Sequence, residues 1–171
     1  MGCGASAPMV PLSQAVNGPL TNSRGETKEA SEVLAGKVRV LYFANHGTGY
    51  QFAMSQLGPF LASQKAQGKQ FEVIFVSSDT DPTLYGHHLA MGPWWGVPFE
   101  DTMRRAQLSQ VFGVTMTPAV IVVDADDSFI CSDGVLKVQQ DPTGQGFPHG
   151  WRQQQQQQEE QQEGMGGILD F

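Results

Sequence analysis

Apolar residues run almost without a break from Val38 to Phe43, where only Arg39 interrupts Val38, Val40, Leu41, Tyr42 and Phe43. β-Branched, aromatic and large aliphatic side chains at that density predict a strand covered on both faces of a sheet. His46-Gly47-Thr48-Gly49 ends the run, and Thr48 is the expected N-cap of a following helix. Phe52, Leu57, Phe60 and Leu61 then recur at helical spacing, which predicts one apolar helix face. A strand that feeds a helix through a tight turn aims backbone amides at whatever the turn carries. Phe71 to Val76 predicts a second strand, closed by Ser77-Ser78-Asp79-Thr80-Asp81-Pro82. A short helix is expected over Thr83–Met91, and an irregular packed loop over Pro93–Asp101. A further helix is expected over Thr102–Phe112, stopped by Gly113. Ala119–Val123 reads as a buried strand directly after Thr117-Pro118, with Ser128–Ser132 as its hairpin partner across Asp124–Asp127. Strands alternating with helices predict an α/β domain, and the late hairpin predicts an antiparallel edge on its sheet.

The ends of the chain lack this patterning. Ala7 to Ser31 is rich in Pro, Gly, Ser, Asn and Thr, so residues 1–31 read as a flexible tether, 32–151 as the folded domain and 152–171 as a Gln/Glu-rich disordered tail. The 171 residues carry a net charge of −7 with no basic footprint, so nucleic acid is not an expected partner. Cys3 and Cys131 are the two cysteines. They form no CxxC and no zinc-type cluster, so neither a disulfide framework nor a structural metal is expected, and a reducing compartment fits. No apolar run approaches the ~18 residues of a spanning helix, and there is no charged n-region followed by an h-region. Met1-Gly2-Cys3-Gly4-Ala5-Ser6 instead fits N-myristoylation at Gly2, with Cys3 as the adjacent palmitate acceptor. One myristoyl chain binds membranes only marginally, and Arg24 and Lys28 are offset by Glu26 and Glu29, so a second acyl chain is the expected reinforcement. Lipid anchoring at the cytoplasmic face of a membrane follows as the expectation.

The segments, in order, resemble the tryparedoxin and nucleoredoxin branch of the thioredoxin superfamily. LAGKVRVLYFAN is similar to that family's first core strand, and FEVIFVSSDTD to its second strand and acidic turn. PWWGVPFED is similar to its Pro-Trp-x-x-x-Pro-Phe segment, LSQVFGVTMTPAVIVVDADD to its helix, cis-proline and edge strands, and VQQDPTGQGFPHGW to its closing signature. The resemblance spans roughly residues 33–151. It implies a thioredoxin-like fold, a central mixed sheet with helices on both faces, and Pro118 as a cis-proline facing the active-site turn.

The resemblance also implies where this chain departs. Where the family carries Trp-Cys-Pro-Pro-Cys, a gap-free reading places Gly47-Thr48-Gly49-Tyr50-Gln51, with Thr48 and Gln51 in the cysteine positions; residues 32–130 contain no cysteine. Dithiol exchange needs a thiolate and a resolving thiol. A hydroxyl supplies neither, so catalysis is not expected and Thr48 and Gln51 read as degenerate positions. The groove could survive as a protein- or peptide-binding surface of Gly47, Thr48, Gly49, Tyr50, Trp94, Trp95, Thr117 and Pro118. The expected function is a redox-inactive, membrane-tethered adaptor without a cofactor. The alternative is a thiol-disulfide oxidoreductase using Cys131, which otherwise reads as a small buried hydrophobe in its strand. A non-redox enzyme finds no base for a Thr48 nucleophile. His46 reads as an exposed or capping histidine, and His87 and His88 as neighbours on a surface helix that do not face one another. The Asp124, Asp126 and Asp127 cluster lacks the spacing of a calcium loop and reads as a turn. Leu169-Asp170-Phe171 has the apolar ending of a strand-adding ligand, a common one by chance.

Overall fold

The computed structural model describes residues 12–152. The long apolar runs become the inner strands. β3 (Val38–Ala44) and β4 (Phe71–Ser77) pair in parallel from Val38 opposite Phe71 to Ala44 opposite Ser77, and every residue of β3 is buried. β6 (Ala119–Val123) pairs antiparallel with the other side of β3, and β7 (Phe129–Cys131) continues antiparallel from β6 as a sheet edge. The alternation of side chains along β3 divides the core. Val38, Val40, Tyr42 and Ala44 face one side, against α3 (His46–Phe52), α4 (Gly58–Ala66), α5 (Pro82–Leu89) and α7 (Gly134–Gln140). Leu41 and Phe43 face the other, against α6 (Thr102–Val111) and two short helices, α1 (Leu12–Ala15) and α2 (Ala30–Val33). Arg39, buried in β3 on that second side, is held by Asp127, by the Lys37 carbonyl and by the Leu34 carbonyl. Between α3 and α4 a single π-helical turn spans Ala53–Leu57. Pro59 has no N–H to donate to Ser55, and Gly58 N reaches back five residues to the Ala53 carbonyl instead.

The tether expected through Ser31 is corrected over residues 12–31, which are folded. β1 (Pro19–Thr21) and β2 (Thr27–Glu29) form an antiparallel hairpin, and β1 joins the sheet by pairing Thr21 with Gly96 of β5 (Trp95–Gly96). The strand order among the described residues is β2-β1-β5-β4-β3-β6-β7. Leu12, Val16 and Leu20 are isolated apolar residues among turn formers, too sparse to read as elements. Each is nevertheless buried against the α1/α2/α6 face, and Leu20 is 0% exposed. Arg104 fixes the hairpin by donating to the Pro19 carbonyl at 2.6 Å, and Ala30 N donates to the Gly18 carbonyl at 2.9 Å. The loop expected over Pro93–Asp101 also contributes β5, a two-residue strand parallel to β4. At the other end a 3-10 turn, His149–Arg152, packs Trp151 onto Phe60 and Phe147. Arg152, expected as the first residue of the tail, is pinned to Asp124 at 2.8 Å and to Ser128 Oγ at 3.0 Å. Gly2 and Cys3, with the rest of residues 1–11, lie outside the described residues, as does the Gln/Glu tract after Arg152.

Candidate functional site

β3 delivers the chain to the C-terminal end of the parallel strands, where α3 begins. Asn45, not Thr48, is the N-cap. Its Oδ1 accepts from Thr48 N at 2.8 Å, and Thr48 Oγ1 answers the Asn45 amide at 3.5 Å in a reciprocal capping box. Thr48 thus sits one turn inside the cap. Its hydroxyl meets Thr117 Oγ1 at 2.7 Å, across 69 positions of sequence. Thr48 Oγ1 also donates to Asn45 Oδ1 at 3.0 Å, which leaves Thr117 as the donor to Thr48. The Thr117-Pro118 peptide is cis, as expected. The two hydroxyls therefore close the turn against the cis-proline loop, beside the exposed Met116. Gln51 is exposed further along α3.

Beneath this turn lies a buried polar network that the sequence did not reveal. Gly49 packs so tightly on the sheet that an added Cβ would stand 2.5 Å from Tyr42 Oη and 2.6 Å from Ala44 Cβ. That closeness lets Tyr42 Oη donate to the Gly49 carbonyl at 3.1 Å while lying 2.8 Å from His88 Nε2. Burial raises the Tyr42 phenol well above its ordinary range, with the nearby Asp79 charge adding to the effect. His88, expected on a surface helix, is 0% exposed. It stacks on Phe75 with ring centres 4.8 Å apart, and burial pushes its imidazole down to about 4, against a smaller upward pull from Asp79. Tyr85, His88 and Leu89 share one face of α5 at three- and four-residue spacing, the signal in the sequence that marks His88 as inward. His87 on the same helix is exposed.

The loop after β4 is locked to the same end. Asp79 accepts from His46 N at 2.8 Å and from Ser77 Oγ at 2.7 Å, while Arg105 donates to the carbonyls of Ser77, Asp79 and Phe99. The His46 ring packs against Tyr50 (4.7 Å between centres), with His87 and His88 at 6.4 and 6.1 Å.

Of the groove residues expected from the sequence, Gly47, Thr48, Gly49, Tyr50, Thr117 and Pro118 lie in this turn and the loop facing it. Trp94 and Trp95 do not line it. Trp94 is core, 5.0 Å from the Tyr42 ring, with its Nε1 donating to the His88 carbonyl. Trp95, the next residue in β5, turns to the opposite sheet face, under Lys28 of the hairpin. A cavity of about 340 Å³ lies beside these tryptophans, between the β1–β2 turn, Lys65 and Glu72.

Cys131 is 3% exposed in the core beneath α7, and burial pushes its thiol up to about 12. It is neither ionised near neutral pH nor accessible, which removes the thiolate that a one-thiol route needs. Among the described residues the Thr48 hydroxyl is hydrogen-bonded to Asn45 and Thr117 and to no base. Among the described residues no group of three or more His, Cys, Asp or Glu is placed to hold a metal, and no helix is long and apolar enough to cross a membrane.

Residues 36–129 match the protein-family model described as Thioredoxin-like. Nucleoredoxin of Bos taurus is 30% identical over 138 residues, covering 81% of this chain and 32% of that protein. The chain thus spans about a third of the nucleoredoxin's length. Tryparedoxin of Trypanosoma brucei brucei is 29% identical over 133 residues, 75% of this chain and 89% of that one. Native tryparedoxin I from Crithidia fasciculata superimposes with a TM-score of 0.71 at 29% identity, covering 80% of this chain and 96% of the other. On the matched domain and the architecture shared with the tryparedoxins, the chain belongs to the thioredoxin-like family.

Proposed function

We propose that this protein is a redox-silent member of its family that binds a protein or peptide partner at the cytoplasmic face of a membrane. The observation that carries the reading is the hydroxyl pair, Thr48 to Thr117 at 2.7 Å, at the head of α3 beside the cis-proline. A disulfide forms and breaks by attack of a thiolate on sulfur. Here the groups at that position are a threonine and, further along the helix, the Gln51 amide. Family membership alone would favour dithiol–disulfide exchange, but the one described thiol, Cys131, is buried and unionised. The surface left for a partner is Gly47, Thr48 and Tyr50 with Met116, Thr117 and Pro118. The membrane part of the proposal rests on Met1-Gly2-Cys3 and Ser6, with acyl chains on Gly2 and Cys3.

An insulin-reduction assay with dithiol as electron donor separates the readings. The wild type and Cys131→Ser are expected to match the protein-free background, and Thr48→Cys/Gln51→Cys to exceed it. Turnover by the wild type at a rate typical of a tryparedoxin overturns the proposal. Membrane fractionation of wild type against Gly2→Ala and Cys3→Ser tests the anchor, and a soluble wild type ends that part of it.

A further inference from the structure

A groove of about 440 Å³ runs between α4 and α7, on the sheet face that carries Tyr42. Its floor is Phe60 and Val138, 5% and 4% exposed, and Pro59, Ser63, Gln139 and Pro142 form exposed walls. The volume falls within the about 300–1,000 Å³ of clefts that hold a ligand. Among the described residues the lining carries no charge. An apolar side chain can therefore cover Phe60 and Val138 without stripping water from an ion, and a basic partner finds no carboxylate in the lining to pair with.

The chain leaves the fold against this groove. Trp151 stacks on Phe60 with ring centres 5.8 Å apart, and its Nε1 donates to Asp141 Oδ2 at 3.0 Å, next to Pro142. One side chain at the exit thus touches the floor of the groove and the residue beside its rim. Arg152, held by Asp124 and Ser128, fixes the point from which the chain continues. Beyond it come only Gln and Glu through Glu163, then Gly164-Met165-Gly166-Gly167-Ile168-Leu169-Asp170-Phe171. Fully extended, Gln153–Glu163 reaches about 36 Å, against a radius of gyration of about 14 Å for a domain of the described length. Gly164, Gly166 and Gly167 permit the reversal of direction that a return to the domain requires. A segment tethered this way meets the groove at an effective concentration of about millimolar, so modest apolar burial suffices to seat it.

We propose that Ile168-Leu169-Asp170-Phe171 folds back onto its own domain and occupies the α4–α7 groove. Extended, the segment sets Leu169 and Phe171 on one side, over Phe60 and Val138, and Asp170 on the other, so its one charge stays in water. The acidic Gln/Glu spacer remains outside the uncharged lining. Seated, the segment withholds both itself and the groove from other proteins; released, it exposes both.

The test uses untagged full-length protein carrying Cys3→Ser and Met165→Cys, with a nitroxide spin label on the thiol at 165; Cys131 is buried and stays unlabelled. At low protein concentration the amide resonances of Ser63 and Gln139 are expected to lose more than half of their intensity, and those of α6, on the opposite sheet face, to keep theirs. Leu169→Ser/Phe171→Ser and, separately, Ser63→Glu are each expected to restore most of the lost intensity. Ser63 is exposed, so its replacement leaves the fold in place, and Gln107→Glu, exposed on α6, is expected to restore none. Spin-labelled protein mixed with spin-free, ¹⁵N-labelled protein is expected to broaden nothing. Broadening that is absent or uniform overturns the proposal, as does broadening that survives Leu169→Ser/Phe171→Ser. Broadening in the mixture would make the occupant a second copy, and broadening centred on Thr48 and Thr117 would seat the segment on the other surface; either result overturns it too.

Discussion

Two glycines two residues apart in α3 should respond to the same substitution with opposite signs. An alanine Cβ at Gly49 would lie 2.5 Å from Tyr42 Oη, 2.6 Å from Ala44 Cβ and 3.0 Å from His88 Cε1. Ala44 belongs to the rigid β3, so relief requires α3 to lift from the sheet or Tyr42 to swing away. Alanine in place of glycine favours a helix by about 1 kcal/mol. Overpacking a close contact costs about 1–3 kcal/mol, and breaking the buried Tyr42 hydrogen bonds costs about 1–3 more. The packing side wins, and Gly49→Ala should destabilise the protein by about 1–5 kcal/mol. At Gly47 the nearest atom to a new Cβ is Asn45 Oδ1 at 3.4 Å, an ordinary contact on an exposed turn. Gly47→Ala should therefore leave the fold intact and stabilise it by up to about 1 kcal/mol. Urea unfolding at neutral pH followed by far-UV circular dichroism reads both. With m near ~1–2 kcal/mol/M, the midpoints should move apart by roughly 0.5 M or more, on opposite sides of the wild type. A Gly49→Ala midpoint that coincides with the wild type, or two shifts of the same sign, would refute the claim that Gly49 is the contact point between α3 and the sheet.

Leu20→Ala should cost about 2–5 kcal/mol, because the residue is fully buried under the N-terminal hairpin; a loss below about 0.5 kcal/mol would show that the hairpin is not part of the cooperative unit. Burial alone would raise the Asp141 carboxyl, but bonds from Trp151 Nε1, Gly146 N and Gln145 N outweigh it and hold the group below its ordinary value. A depressed folded value means stabilisation that is complete above the unfolded pKa near 4 and fades as pH falls through the folded one. Asp141→Asn should accordingly be less stable than wild type at pH 7, with the gap narrowing in acid; a gap independent of pH would contradict this. In a Cys3→Ser background, Cys131 should react with a disulfide reagent only after urea unfolding, and stoichiometric labelling of the folded protein within minutes at pH 8 would disprove its burial.

The inner strands were readable because Val38–Phe43, Phe71–Val76 and Ala119–Val123 are dense in β-branched and aromatic residues, and nothing but a covered sheet accommodates them. The cis peptide at Pro118 was readable only through family resemblance. Local pattern failed where long-range contacts decide. Leu12, Val16 and Leu20 are single apolar positions in a Pro/Gly/Ser background, and only their joint burial beside α6 makes them structure. Asn45 and Thr48 are both good capping residues three apart, so the reciprocal box looked like one cap placed at the wrong member. Trp94 and Trp95 fall on opposite faces because β5 exists, and a two-residue strand has no sequence signature. The Thr48–Thr117 contact joins residues 69 apart, beyond the reach of any periodicity.

The seven-stranded sheet bears on where this protein can be cut. Trimming to the family-matched stretch, 36–129, would remove α1, α2 and the hairpin, part of the covering over Leu41, Phe43, Ile74 and Val97, and leave β5 with a bare margin of amides and carbonyls. The same trim would discard α7 and Trp151, unroofing Phe60 on the opposite side. Such a fragment would present two greasy surfaces and an open flank for cross-chain pairing, the recipe for precipitation during expression. Usable boundaries start no later than Leu12 and end no earlier than Arg152.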